Sequence, residues 1–222
     1  MIRREWLAFA PARGKGSLRQ GGGAVRRGEG SGWAVGPSRQ KELGAPHTPV
    51  LLAEVLEWLE IRPDGIYVDA TLGAGGHSSV IAGRLTTGRL IGLDRDGQAL
   101  EIARQRLREF RSRVTLVHAE FSRIGELQGQ MKMPLFDGVL ADLGVSTLEL
   151  DSPERGFSFR WAAPLDMRMN PNLPLTADEI VNHWPEKDLA DLLYQKAEER
   201  DSRRIARAIV RARPIRDLAA TS

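Results

Sequence analysis

The sequence predicts an α/β fold: a mainly parallel sheet with a helical insertion after it. Three observations carry this expectation. Short β-rich runs alternate with amphipathic helical stretches over residues 47–144, a glycine loop lies directly between the first run and the helix after it, and past Gly144 the alternation gives way to a Pro/Arg/Met-rich loop and short helices. Strands alternating with helices connect by right-handed crossovers, which bring ligands to the carboxyl ends of the strands.

Taken in order, residues 1–46 contain ten glycines and scattered arginines without helical or strand periodicity, and they read as a disordered basic leader. The apolar run Trp6 to Ala10 is too short for a secretory signal. Order is expected to begin at His47, where Thr48 and Pro49 start a helix with Leu52, Val55, Leu56 and Leu59 on one face. After the Pro63-Asp64-Gly65 turn, Ile66 to Asp69 reads as the first strand, followed by the glycine loop and a helix around Val80, Ile81 and Leu85. Leu90 to Leu93, ending at Asp94, is the second strand. A helix then places Leu100, Ala103, Leu107 and Phe110 on one side. Val114 to Val117 and the run ahead of Asp142 supply the third and fourth strands. From residue 145 onward a second, helical unit is expected, with helices opening at Thr176, after Pro185 and around Ile205, Ala208 and Ile209.

Composition narrows the chemistry. The chain has 222 residues, 41% of them hydrophobic and 27% charged, enough for a buried core and unlike either a disordered or a membrane-embedded chain. Cysteine is absent, which excludes disulfides, thiolate metal sites and cysteine nucleophiles, and no metal site is expected. The formal net charge of +3 is unevenly divided. Residues 1–46 carry nine basic against three acidic side chains, and residues 196–216 carry eight against three, so the middle of the chain is acidic between two basic ends. Such ends suit phosphates; a solvated helix face is the alternative for 196–216.

The strongest local motif is Asp69-Ala70-Thr71-Leu72-Gly73-Ala74-Gly75-Gly76-His77. Glycines at a strand-to-helix bend allow a tight turn and close approach of a ligand. Asp94, 21 residues after Gly73, closes the next strand, where a carboxylate accepts hydrogen bonds from ribose hydroxyls. Position 78 is Ser rather than the third glycine of a dinucleotide fingerprint, and no Walker Gly-Lys-Ser/Thr follows. Asp69, ahead of the glycines, suits a cofactor with an ammonium. S-adenosylmethionine carries both that group and a ribose. Asp142 ends the fourth strand at the same sheet edge and is the candidate acceptor for an amine in the cleft; capping of a turn is the alternative.

These motifs together resemble the bacterial and organellar 16S ribosomal RNA cytosine-N4 methyltransferases. The resemblance runs through His47-Thr48-Pro49-Val50, Gly73 to Ser78, Leu93 to Asp96, Asp142 to Ser146, Glu154 to Phe159, Pro164 to Met169 and Arg203 to Ala206. It implies a Rossmann-like methyltransferase sheet and a cytoplasmic enzyme acting on a cytidine of the decoding region of 16S ribosomal RNA in the small ribosomal subunit, without membrane attachment. It also implies that Gly75, Gly76 and His77 contact S-adenosylmethionine, that Asp94 holds its ribose, that Phe121 flanks its adenine and that Asp142 and Glu149 complete the site. Asp142 is the candidate catalytic residue. Substrate contacts fall to Arg155, Phe157, Asp166 and Arg168, with Phe159 and Arg160 beside them.

Two departures from the family pattern stand out. Glu149 replaces a usual Gln, putting an acceptor-only charge where an amide also donates. The chain stops at Thr221-Ser222, before the last strands and the Ser-Phe-His-Ser segment of the family, so it resembles a truncated member, with an open sheet edge, lowered stability and impaired activity expected. Two alternatives follow from the same residues: a nucleotide-dependent oxidoreductase, and an RNA-binding relative that transfers no methyl group.

Overall fold

The computed structural model describes residues 6–9 and 49–217. Four strands run parallel: β2 (Ile66–Asp69), β3 (Arg89–Asp94), β4 (Val114–His118) and β5 (Gly138–Asp142), with β1 (Trp6–Phe9) at one edge. The order across the sheet is β1-β5-β2-β3-β4. β2 therefore has β3 on one side and β5, the last strand in sequence, on the other. This reversal of direction opens a crevice at the carboxyl ends of the strands.

Side-chain alternation along the strands builds two faces. Tyr67, Leu90 and Leu140 point to one of them, where they pack on Val55, Leu56 and Leu59 of α1 (Leu52–Leu59) and on Ile81 and Ala82 of α2 (Gly76–Arg84). On that face α3 (Gly97–Arg106) adds Leu100 and Ala103, packed with Leu72 and Leu107. Val68, Ile91 and Val139 point the other way, to Ile124 and Leu127 of α4 (Ile124–Gln130). The crossovers before β3 and β4 thus cover one face and the crossover before β5 the other, as the switch in strand order requires.

All four strands expected between residues 66 and 142 form, each within about two residues of its predicted bounds. The first helix begins at Leu52 rather than at Pro49. Pro49 lies instead against the glycine loop, 2.8 Å from where a side chain on Gly76 would begin.

A second difference lies at the amino terminus. Trp6–Phe9, expected within a disordered leader, pairs antiparallel with β5, Trp6 opposite Asp142 and Phe9 opposite Val139. The remainder of residues 1–46 lies outside the described residues, as does Thr221-Ser222. The outer edge of β5 therefore carries a strand. The pairing offers the backbone of β5 a ladder partner that local periodicity in a glycine-rich segment does not announce.

Beyond β5 come the short helix α5 (Thr147–Asp151), a long loop, and α6 (Ala177–His183), α7 (Glu186–Ala197) and α8 (Ser202–Ala212). Thr176 caps α6 by accepting from the Glu179 N–H, as its sequence predicts. α7 and α8 pack through Leu189, Ala190 and Ala206; Ala163 and Leu165 of the loop are buried with Ile215, against Val181 and Ile209. Among the described residues no helix is long and apolar enough to cross a membrane.

Candidate functional site

The bend after β2 is stitched to both neighbouring strands. The Ala70 N–H donates to the Leu140 carbonyl of β5, and the Leu72 N–H to the Leu93 carbonyl of β3. Two further bonds tie the strand tips to the same bend: the Asp142 N–H donates to Thr71 Oγ1 at 2.6 Å, and the Gly73 N–H donates to Asp94 Oδ2 at 2.7 Å. Asp94 and Asp142, from strands on opposite sides of β2, thus converge on one loop at positions two residues apart. Asp94 also accepts from the Asp96 N–H, and burial raises its carboxyl above the usual carboxylate range.

The three glycines of the bend have different physical reasons to be glycine. Gly75, at φ +77°, caps α2, and a side chain there would meet Leu107 and Ala103 of the α3 segment at 3.3 and 3.4 Å. Gly76 is closed in by Pro49. Gly73, at φ +53°, faces space: a Cβ would find its nearest neighbour, its own loop's Thr71 carbonyl, only at 4.0 Å. Close ligand approach is therefore offered at Gly73, while Gly75 and Gly76 shape the bend.

His77 is buried, and its Nε2 lies 2.9 Å from the Val50 carbonyl. It anchors the segment that carries Pro49 over the glycine loop. Asp69, expected to face a cofactor ammonium, points into the protein instead. It is buried, accepts from Ser78 Oγ at 2.7 Å and from the Thr71 N–H at 3.2 Å, and is pushed up to about 6 because burial outweighs those bonds. Ser78, read as the missing third glycine, is its hydrogen-bond donor.

Phe121 begins a short turn after β4 and is 49% exposed. The Ala119 N–H donates to the Asp94 carbonyl, so this turn leaves the sheet beside the Asp94 tip. On the other side Glu149 is buried within α5. Its carboxylate accepts from the Ser146 N–H at 2.7 Å while Ser146 Oγ accepts from the Glu149 N–H at 3.1 Å, a reciprocal capping box. In the structure Glu149 thus closes the start of α5. Ser146-x-x-Glu149 is itself the sequence signal for that role.

The residues expected to contact substrate after β5 differ in how far they are engaged within the protein. Arg155 does not reach outward. It is buried, pairs with Asp96 at 2.9 Å, and donates to the Gln98 side chain and to the carbonyls of Arg168 and Met169. Asp96 in turn caps α3 through the Gln98 N–H, so Arg155 pins the long loop to the tip of β3. Asp166 and Arg168 hold each other in a bidentate pair, at 2.9 and 2.7 Å, and Arg168 also donates to the Leu173 carbonyl. That pairing keeps the Asp166 carboxyl below the usual range. Both arginines thus have partners within the protein. Phe157 is half-buried, whereas Phe159 and Arg160 are exposed. Among the described residues no group of three or more His, Asp or Glu is arranged to hold a metal.

The geometry, then, is a glycine bend at the switch point of a parallel sheet, gripped by two acidic strand tips, with the loop after β5 tied to the tip of β3 by a buried ion pair. Comparison with known proteins gives it a context. Ribosomal RNA small subunit methyltransferase H of Solibacter usitatus is 52% identical over 170 residues, which cover 77% of this chain and 59% of the relative. Its namesake in Brevibacillus brevis is 51% identical over 168 residues, covering 75% of this chain and 54% of the relative. The chain thus spans less than two thirds of the length of these relatives. An rRNA methylase structure from Streptococcus thermophilus aligns with 39% of this chain and 50% of its own, at 22% identity and a TM-score of 0.30. The profile of the MraW methylase family matches residues 44–222, which include the four parallel strands and all the helices described above, and the chain belongs to that family.

Proposed function

We propose that this chain binds S-adenosylmethionine at the β2–β3–β5 tips and methylates the exocyclic N4 of a cytidine in the decoding region of 16S ribosomal RNA. The single observation that carries the reading is the convergence of Asp94 and Asp142 on residues 71 and 73 of one glycine bend, in a chain that matches the MraW methylase family.

The residues present fit the cofactor. Asp94 stands where a strand-end carboxylate receives ribose hydroxyls. Gly73 leaves its side open, and Phe121 offers an exposed ring beside the same tip for an adenine to stack on. His77, Gly75 and Gly76 act one step back, by fixing the bend. When bound, S-adenosylmethionine supplies a methyl group activated by a sulfonium.

The chain's part is to orient the amine and remove water. A cytosine amine is a weak nucleophile because its lone pair is delocalised into the ring. Asp142, half-buried at the tip of β5, accepts an N–H of that amine, favours a pyramidal nitrogen and stabilises the positive charge that grows on it. The absence of cysteine fits attack by N4 rather than by C5 of the ring. The base reaches the cleft only after leaving its stack, which single-stranded RNA allows at least cost.

Isothermal titration with S-adenosylmethionine, followed by methyl transfer to assembled small subunits and nucleoside analysis of the product, tests the proposal. Asp94→Asn is expected to weaken cofactor binding by about tenfold or more, since one charge-assisted contact is worth about 1.5–3 kcal/mol. Asp142→Ala is expected to suppress transfer more than binding. Affinity for NAD with none for S-adenosylmethionine would overturn the reading in favour of an oxidoreductase; RNA binding without transfer would leave only the non-catalytic relative.

A further inference from the structure

The loop between Arg155 and Met169 is locked at its neck and open at its tip. At the neck, Gly156 at φ +68° packs so tightly that a Cβ would lie 2.3 Å from the Pro164 carbonyl oxygen, and the Met167 N–H donates to the Arg155 carbonyl at 3.0 Å. Arg155 is held by Asp96 at the tip of β3, two residues from Asp94, while Ala163 and Leu165 are buried in the helical unit. Between these anchors the chain turns at Ser158, whose hydroxyl accepts from the Arg160 N–H, and presents Phe159 81% exposed and Trp161 45% exposed. Arg160 stands between them with its side chain 74% exposed, 3.9 Å from Asp151, itself 53% exposed.

A tip so placed is imposed by its base. Its two rings are separated by a cation and bordered by Ser158 and Ala162, which differs from the continuous apolar core that a protein interface needs. Separate aromatic platforms with an intervening guanidinium suit successive bases and the phosphate that joins them.

We propose that Phe159 and Trp161 stack bases of single-stranded RNA beside the target nucleotide and that Arg160 meets the phosphate between them. This rests on the reading of the chain as an RNA methyltransferase and adds which surface receives the RNA. Through Arg155 and Asp96 the neck of the loop is tied to the Asp94 tip, so a base stacked on the loop sets the reach of its neighbour toward the cofactor.

The test uses the 222-residue chain, calorimetry with S-adenosylmethionine, and fluorescence anisotropy with a labelled single-stranded RNA of about a dozen nucleotides, a length within the usual range for such surfaces. The double variant Phe159→Ala/Trp161→Ala is expected to bind RNA at least about tenfold more weakly, with cofactor affinity within about twofold of the parent. Phe159→Tyr/Trp161→Phe, which keeps both rings, restores RNA binding. Arg160→Ala lowers the dependence of log affinity on log salt by about 0.7, the contribution of one phosphate on a single strand. If the parent binds both cofactor and RNA and the double variant binds RNA equally well, the assignment of the tip is overturned while the methyltransferase reading stands. Unchanged RNA affinity with lost association to small subunits would assign the tip to a protein partner and overturn it too. A parent that binds no S-adenosylmethionine removes the methyltransferase reading and the tip proposal with it.

Discussion

The strand tips and the loop that Arg155 ties to them hold their residues by different means. Around the glycine bend the fastening is largely main-chain: Ala70 to Leu140, Leu72 to Leu93, and the N–H groups of Gly73 and Asp142 to side-chain oxygens. In the loop and the helices after it the fastening is by side chains: Arg155 on Asp96 and two carbonyls, Arg168 on Asp166, Arg213 on the carbonyls of Val181 and Trp184, and Asn182 on both the N–H and the carbonyl of Ile215. A parallel sheet supplies regular backbone geometry, so its tips are held by main-chain N–H donors, the Asp94 carboxylate among their acceptors, rather than by ion pairs. The irregular loop has no ladder and uses its cations on itself.

The largest effect is expected where the two regions meet. Arg155→Met leaves Asp96 as an unpaired buried carboxylate and removes donors from the carbonyls of Arg168 and Met169. Breaking one partner of a buried pair costs about 3–5 kcal/mol. Chemical denaturation is expected to show a loss of that order. Native-state hydrogen exchange is expected to show lost protection at residue 167, whose N–H is held by the Arg155 carbonyl, with β2 and β3 little changed. Equal loss in both regions would mean that the loop and the sheet form one cooperative unit.

Asp69 is the buried charge of the sheet side, and its effect runs with pH. Its folded carboxyl is raised from 3.8 to about 6 by burial. The folded protein therefore keeps a proton that the unfolded chain has already released. As pH rises from about 4 to about 6 the unfolded state gains by ionising first, and stability falls; above that window the penalty is constant. The two values correspond to on the order of 3 kcal/mol at neutral pH. Asp69→Asn keeps an acceptor for Ser78 and removes the charge, so unfolding measured across pH 4–7 is expected to lose this decline and to show a more stable variant at neutral pH. An unchanged decline would mean that another group carries it.

The bend itself separates stability from binding. Gly75→Ala forces a side chain into the left-handed region and against Leu107 and Ala103, a cost of about 1–3 kcal/mol to the fold. Gly73→Ala carries the backbone cost of about 1–2 kcal/mol but meets open space, so its excess effect is expected in the titration with S-adenosylmethionine rather than in thermal unfolding.

What was legible in the sequence follows the same division. Strand alternation and the glycine spacing placed β2 to β5 and the Asp94 and Asp142 tips, because a sheet edge turns local pattern directly into position. α4 was missed: Ile124 and Leu127 carry its apolar face, but Gly125 and Gly129 weaken the helical signal. β1 was missed because its pairing is tertiary. The internal partner of Arg155, expected as a substrate contact, is not legible because it stands 59 residues earlier, a distance at which no periodicity speaks. The Asp166–Arg168 pair, two residues apart, was within reach of a local reading.

Glu149 gives the smallest expected effect and the finest test of the division between site and scaffold. If it were a cofactor ligand, exchanging its charge for an amide would change the affinity for S-adenosylmethionine. In the structure its carboxylate closes a capping box with Ser146, and burial raises its carboxyl above the usual range, so the charge is held at some cost. Glu149→Gln keeps an oxygen to accept the Ser146 N–H and removes a charge that burial disfavours. Stability is expected to change by less than about 1 kcal/mol, rising rather than falling at neutral pH, where the carboxylate is the disfavoured form. Cofactor affinity by calorimetry is expected to stay within about twofold, less than about 0.4 kcal/mol. A larger change in affinity with unchanged stability would move Glu149 from the helix start into the site.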